Sequence, residues 1–169
     1  MTLDGRNGGY GLTSSKALTG TNNETHINSI LAAVKVRLFI GDSHFDDNLL
    51  ELAKEAIADF EKITSTSVYE QTITLDYEYF KGKVKLPYPP HNAVTAITDY
   101  VVTGNKTKYL EGGAGESLQV IYTAGYAILP DDIKSILVKM VECRFKDESI
   151  GKYPQWLYST IRALKVDIE

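Results

Sequence analysis

Residues 49–79 read LLELAKEAIADFEKITSTSVYEQTITLDYEY, and inside this stretch the hydrophobic period changes. Leu49, Leu52, Ala53, Ala56, Ile57, Phe60 and Ile63 fall at helical spacing, with Glu51, Lys54, Glu55, Asp59 and Lys62 on the other faces. After Thr64 the period shortens to two. Ile73, Leu75, Tyr77 and Tyr79 alternate with Thr72, Thr74, Asp76 and Glu78, as in a half-buried antiparallel strand. A helix that buries one stripe and a strand that buries one face need separate partners, so the neighbouring segments decide the architecture.

Upstream, Ile27, Ile30, Leu31, Val34 and Leu38 predict a first helix ending near Gly41. The segment GDSHFDDN then links it to the second helix, whose first turn carries acidic residues that complement the helix dipole. Downstream, a short strand is expected over Lys81–Leu86. Pro87, Pro89 and Pro90 remove backbone donors and enforce extended chain after it. Further strands are expected at Ala93–Val102 and Leu118–Thr123, with turns at Thr103–Asn105 and Glu111–Gly115. Helical spacing returns at Asp131 with Ile133, Ile136, Leu137, Met140 and Val141, and should fade near Gly151. A last helix opens at Pro154 and carries Trp156, Leu157, Ile161 and Leu164. The sequence therefore predicts an α+β fold: a bundle of about four helices with a small antiparallel β insertion between the second and third.

Residues 1–26 differ in kind. They are rich in Gly, Thr, Asn and Ser and cannot alone bury enough apolar surface to offset their ordering entropy. They are read as a flexible N-terminal arm before a single domain over 27–169. The arm is either a disordered tail or a segment that orders against a partner, with Tyr10, Leu12 and Leu18 as its anchors.

Composition narrows the function classes. The chain has 169 residues, about one domain's length, with 43% hydrophobic residues and a net charge of −4. That balance argues against a protein that coats nucleic acid, although DNA can pass near it without being gripped. The single cysteine, Cys143, allows no intrachain disulfide and no thiol-rich metal site. The opening residues MTLDGRNGGYGLTSSK hold no apolar signal region, and no apolar run approaches the ~18 residues of a membrane span. A soluble, cytosolically made protein is expected.

No catalytic constellation is legible. His26, His44 and His91 are far apart and outside zinc-protease spacing. His44 with Asp42, Asp46 and Asp47 forms an oxygen-rich loop, but without the calcium-loop glycine and distal glutamate, so solvated helix-capping is the reading preferred. Residues Gly112–Ser117 lack the lysine of a phosphate loop and precede a strand, which favours a hairpin turn. Cys143 lies beside an apolar stripe as a partly buried core thiol, without a visible base. Neither a cofactor nor a metal is expected. Lys81, Lys83 and Lys85 share one strand face, which suits either a charged edge strand that discourages unwanted pairing or a DNA-facing surface. Trp156, Tyr158 and Arg162 are residue types enriched at binding hot spots and are candidate interface residues.

Three segments in order resemble the head–tail connector (adaptor) proteins of tailed bacteriophages: VKVRLFIGDSHFDDNLLELAKEAIADFEKIT at 34–64, VKLPYPPHNAVTAITDY at 84–100 and LQVIYTAGYAILPDDIKSILVKMV at 118–141. The resemblance covers roughly residues 30–148; residues 1–26 lie outside it and GKYPQWLYSTIRALKVDIE matches only loosely. It implies a non-enzymatic virion component made in the bacterial host cytoplasm. Such a protein forms a ring, commonly a dodecamer, docked beneath the portal. Its implied partners are further copies of itself, the portal protein, the next neck or tail component, and genomic DNA passing through without sequence-specific binding. Three alternatives stay open: another neck or tail-completion protein, a helix-turn-helix module built on the first two helices, and a small enzyme with a site shared between subunits. Against the helix-turn-helix stand the acidic residues at the start of the second helix, where a reader helix would meet base edges.

Overall fold

A computed structural model describes residues 9–18, 22–94, 100–103, 108–146 and 153–168. The elements run β1 (Gly9–Leu18), α1 (Asn22–Leu38), α2 (Asp46–Thr64), β2 (Gln71–Lys85), β3 (His91–Val94), β4 (Tyr100–Thr103), β5 (Tyr109–Ala124), α3 (Asp131–Lys146) and α4 (Gln155–Ile168). The α+β class is as the hydrophobic periods require, with four of these strands between α2 and α3.

The helices form one core. Ile30 and Val34 of α1, Leu49, Ala53, Ala56, Ile57 and Phe60 of α2, Ile133, Leu137, Met140 and Val141 of α3, and Leu157 and Ile161 of α4 are all buried in it. α2 and α3 pack together at the centre. α1 and α4 each pack on that pair, with no comparable contact between them, so they lie on different sides of it. α2 ends where Ser65 turns left-handed (φ 58°) and its N–H donates to the Glu61 carbonyl at 2.8 Å.

The strands form a second core. β2 and β5 pair antiparallel, setting Ile73 opposite Tyr122, Leu75 opposite Val120 and Tyr77 opposite Leu118. These residues are buried, together with Leu86 and Leu110. The register shifts between Tyr77 and Gly82, and there the two-stranded ribbon must double back. Tyr122 pairs with Ile73, yet its hydroxyl donates to the Pro87 carbonyl at 2.6 Å. A straight strand would hold Ile73 and Pro87 about 46 Å apart at ~3.3 Å per residue. Gly82, at φ +95°, supplies backbone that other residues resist at the bulge.

The fold departs from the sequence reading in four places. Residues 9–18, assigned above to a flexible arm, pair with β2 from Gly9↔Phe80 to Leu18↔Gln71, and α1 starts at Asn22 rather than at Ile27. A strand docked on a sheet edge satisfies its backbone through the ladder, so it does not need an apolar face to be placed. The expected separate strand at Lys81–Leu86 is the continuation of β2. The expected turn at Glu111–Gly115 is strand: β5 runs through it, with Gly112 opposite Gly82. Of the strand expected at Ala93–Val102, the described residues belong to β3 and β4, both on the side of β5 away from β2 and not in one continuous register with it; residues 95–99 lie outside the described residues. The turn placed at Thr103–Asn105 and the fading of α3 near Gly151 fall largely outside the described residues.

Candidate interaction surface

The interior polar groups serve the fold. Arg144 ties α3 to α2 and to the segment just ahead of α4. Its Nε donates to the Tyr153 hydroxyl at 2.5 Å, one terminal nitrogen to Asp59 at 2.5 Å, and the other to Glu55. Tyr153 donates in turn to Asp59 at 2.9 Å. Burial pulls the Arg144 pKa down, but the bonds to Tyr153 and Asp59 outweigh it and hold the guanidinium more firmly charged than usual. His91 is fixed as one tautomer. The Lys108 N–H donates to its Nδ1 at 3.1 Å, so the proton sits on Nε2, which faces the Pro87 carbonyl at 3.0 Å. This clamp holds the Pro87–His91 crossover against Tyr122.

The acidic loop and the cysteine are likewise tied into the structure. Asp42 accepts from the His44 N–H at 3.1 Å and Asp46 pairs with Lys35 at 2.6 Å. The residue capping α2 is Phe45, with no side-chain cap bond, so Asp46 and Asp47 act through the helix dipole rather than as caps. Among the described residues no group of three or more His, Cys, Asp or Glu side chains is placed to hold a metal ion. Cys143 is half-buried against the helical core, and burial, then the charge of Glu142, pushes its thiol pKa up, away from the reactive thiolate.

The residues singled out in the sequence do not form one patch. Tyr10, Leu12 and Leu18 lie on β1, with Tyr10 opposite Tyr79, Leu12 opposite Tyr77 and Leu18 opposite Gln71. Lys83 faces its cross-strand neighbour Glu111 at 3.3 Å and lies over the Tyr109 ring at 5.2 Å. Lys85 is exposed, and among the described residues no strand lies outside β2 beyond Phe80; the side chain of Lys81 is outside what the structure describes. On α4, Trp156 is 53% exposed, Arg162 is exposed, and Tyr158 packs edge-on against Tyr153 at 5.8 Å. Trp156 and Tyr158 sit about 100° to either side of the buried Leu157, so they face different directions.

The structure adds residues that sequence reasoning passed over. Val36 is 75% and Phe39 95% exposed at the end of α1, and Ile128 is 86% exposed ahead of α3. Phe39 also holds a left-handed backbone (φ 56°) while the Ile40 N–H closes the helix on the Lys35 carbonyl at 2.9 Å. That position usually falls to glycine. A signal was present: Val36 and Phe39 stand off the Ile27–Ile30–Leu31–Val34–Leu38 stripe, so their burial was never required by it. Across α4, Lys139 places its ammonium over the Trp156 ring at 5.8 Å.

Comparison with known proteins gives the class of fold. No protein-family model matches the chain and no curated protein matches it. Among solved structures, the chain is similar to one in the neck of an empty gene transfer agent (GTA) particle computed with C6 symmetry. The two are 18% identical with a TM-score of 0.67, over 91% of this chain and 94% of that chain. A chain in the virion of a native GTA particle is similar at 15% identity and TM-score 0.65, over 91% and 94%. A chain in the neck of a native GTA particle computed with C12 symmetry is similar at 14% identity and TM-score 0.63, over 88% and 93%. The likeness is one of fold, and it spans nearly the whole of both partners.

Proposed function

We propose that this chain is a structural, non-enzymatic component of the neck of a tailed particle, where it forms a ring that joins the portal to the tail and lines the DNA channel. The observation that carries this reading is the end-to-end likeness to chains of GTA necks and virions. A shared fold alone does not fix function. Here it coincides with a sequence resemblance, found independently, to head–tail connector proteins over residues 30–148.

The physical chemistry agrees. A net charge of −4 keeps the subunit from gripping DNA that must slide. Lys83 spends its charge on Glu111 within the sheet, so that part of the strand adds little net positive charge to hold DNA. Strand β1, at the sheet edge, carries Tyr10, Leu12 and Leu18, the residues proposed to meet the portal or a neighbouring subunit. The helix-turn-helix reading gains nothing from the structure, since α2 begins with Asp46 and Asp47 and is packed by α1, α3 and α4.

Another neck position, as a tail-completion protein, fits the same likeness to neck chains. Deleting the gene from its particle separates these readings from all others. A neck component gives DNA-filled heads without attached tails, and adding back the purified chain restores joining. Normal, fully tailed particles from the deletion would refute the proposal.

A further inference from the structure

The helical layer carries two unlike exposed patches. At the α1–α2 corner, Val36 and the almost fully exposed Phe39 form an apolar knob. The cations beside it are already engaged, Lys35 with Asp46 and Arg37 with Glu142. Asp42 and Asp47, exposed on the same corner, have no ion-pair partner among the described residues. The knob is therefore aromatic with an acidic rim. On the other side of the α2–α3 pair, Trp156 is half exposed with the Lys139 ammonium over its ring. That patch is aromatic with a basic rim.

Phe39 is the most informative residue. Its left-handed backbone is strained for a residue with a Cβ, and its side chain gains no burial in return within the subunit. Glycine would close the helix there without that strain. A strained, solvent-facing aromatic is an outlier whose return must come from outside the chain. Two unlike patches of complementary charge, on different sides of one subunit, suit a heterologous contact, and heterologous contacts that close make rings.

We propose that copies of this chain join head to tail, with the Val36–Phe39 knob and its Asp42 and Asp47 rim seated on Trp156 and Lys139 of the next copy. This deepens the ring reading above and rests on it. The other occupants of the knob, a portal or tail protein, are excluded or retained by the test.

The test combines Phe39→Gly with directed cross-linking. Phe39→Gly should melt at or above the wild-type temperature while self-association, measured by sedimentation, weakens at least tenfold. A variant that associates like wild type overturns the inference. In a Cys143→Ser background, chains carrying Ser43→Cys (beside the knob) are mixed with chains carrying Ser159→Cys (one turn beyond Trp156) and treated with a bismaleimide. The mixture should cross-link and each variant alone should not. Ser43→Cys chains that link only to each other would replace the unlike pairing with a like one. Absence of any cross-link overturns the inference as well, and the ring reading is then judged on its own by whether the neck contains the chain as a ring.

Discussion

Gly125 is the backbone position on which the junction between sheet and α3 depends, and replacing it with alanine should cost about 4 kcal/mol. Its φ is +103°, and a Cβ there would stand 1.8 Å from the Tyr69 carbonyl oxygen, 2.4 Å from its carbon and 2.9 Å from the Glu70 nitrogen. The left-handed backbone alone costs ~1–2 kcal/mol for alanine. The overlap is with main chain and cannot be relieved by a rotamer, so the segment must move. Moving it loosens the Gly125 N–H bond to the Pro90 carbonyl at 3.0 Å and the Asn92 amide bond to the Gly125 carbonyl at 2.9 Å, each worth ~1 kcal/mol. Two other glycines calibrate the sum. Gly82 has φ +95° but open space around its Cβ position, so Gly82→Ala should show the backbone cost alone. Gly41 has neither constraint, so Gly41→Ala should be neutral or stabilising by up to ~1 kcal/mol. Urea unfolding followed by far-ultraviolet circular dichroism gives the three values. If Gly125→Ala lies within ~1 kcal/mol of wild type, or Gly82→Ala costs more than it, the reasoning is wrong.

Two further perturbations probe the helical layer. His26 is 3% exposed, and burial, opposed by the Ala127 backbone and the charge of Glu70, holds its imidazole below the ordinary 6.5. The unfolded chain therefore binds the extra proton first: the His26 contribution is intact above pH 6.5 and is lost as pH falls from there through the lowered folded value. Melting temperatures between pH 7.5 and 5 should fall more steeply for wild type than for His26→Gln. Arg144→Lys should destabilise by roughly 1–3 kcal/mol, because one ammonium cannot reproduce the separate bonds to Tyr153, Asp59 and Glu55. Equal stability of the lysine variant in urea would show that the network contributes little.

The sequence made the helices legible because their signal is local. The α2 and α3 stripes fall where the structure buries them, since periodicity is set by geometry within a few turns. The sheet was less legible for a physical reason. Gly112–Gly115 read as a turn by composition, yet β5 continues through them as strand because its backbone is held by β2, a partner distant in sequence. The same non-local pairing takes Gly9–Leu18 out of an apparently featureless arm. The doubling back of the β2–β5 ribbon rests on the register shift near Gly82, which no single-strand pattern reveals. At the surface, Trp156 and Arg162 stood out by residue type alone. Phe39 did not, because its oddity lies in a backbone angle and an exposure that only the fold supplies.

The central claim is that the chain is a ring-forming neck protein, and its mass tests this most directly. Light scattering on the purified chain, alone and mixed with the portal protein of its own particle, should give a species of six or twelve times the 18.8 kDa subunit, or a portal complex carrying that many copies. A species that stays at 18.8 kDa in both samples would contradict the account.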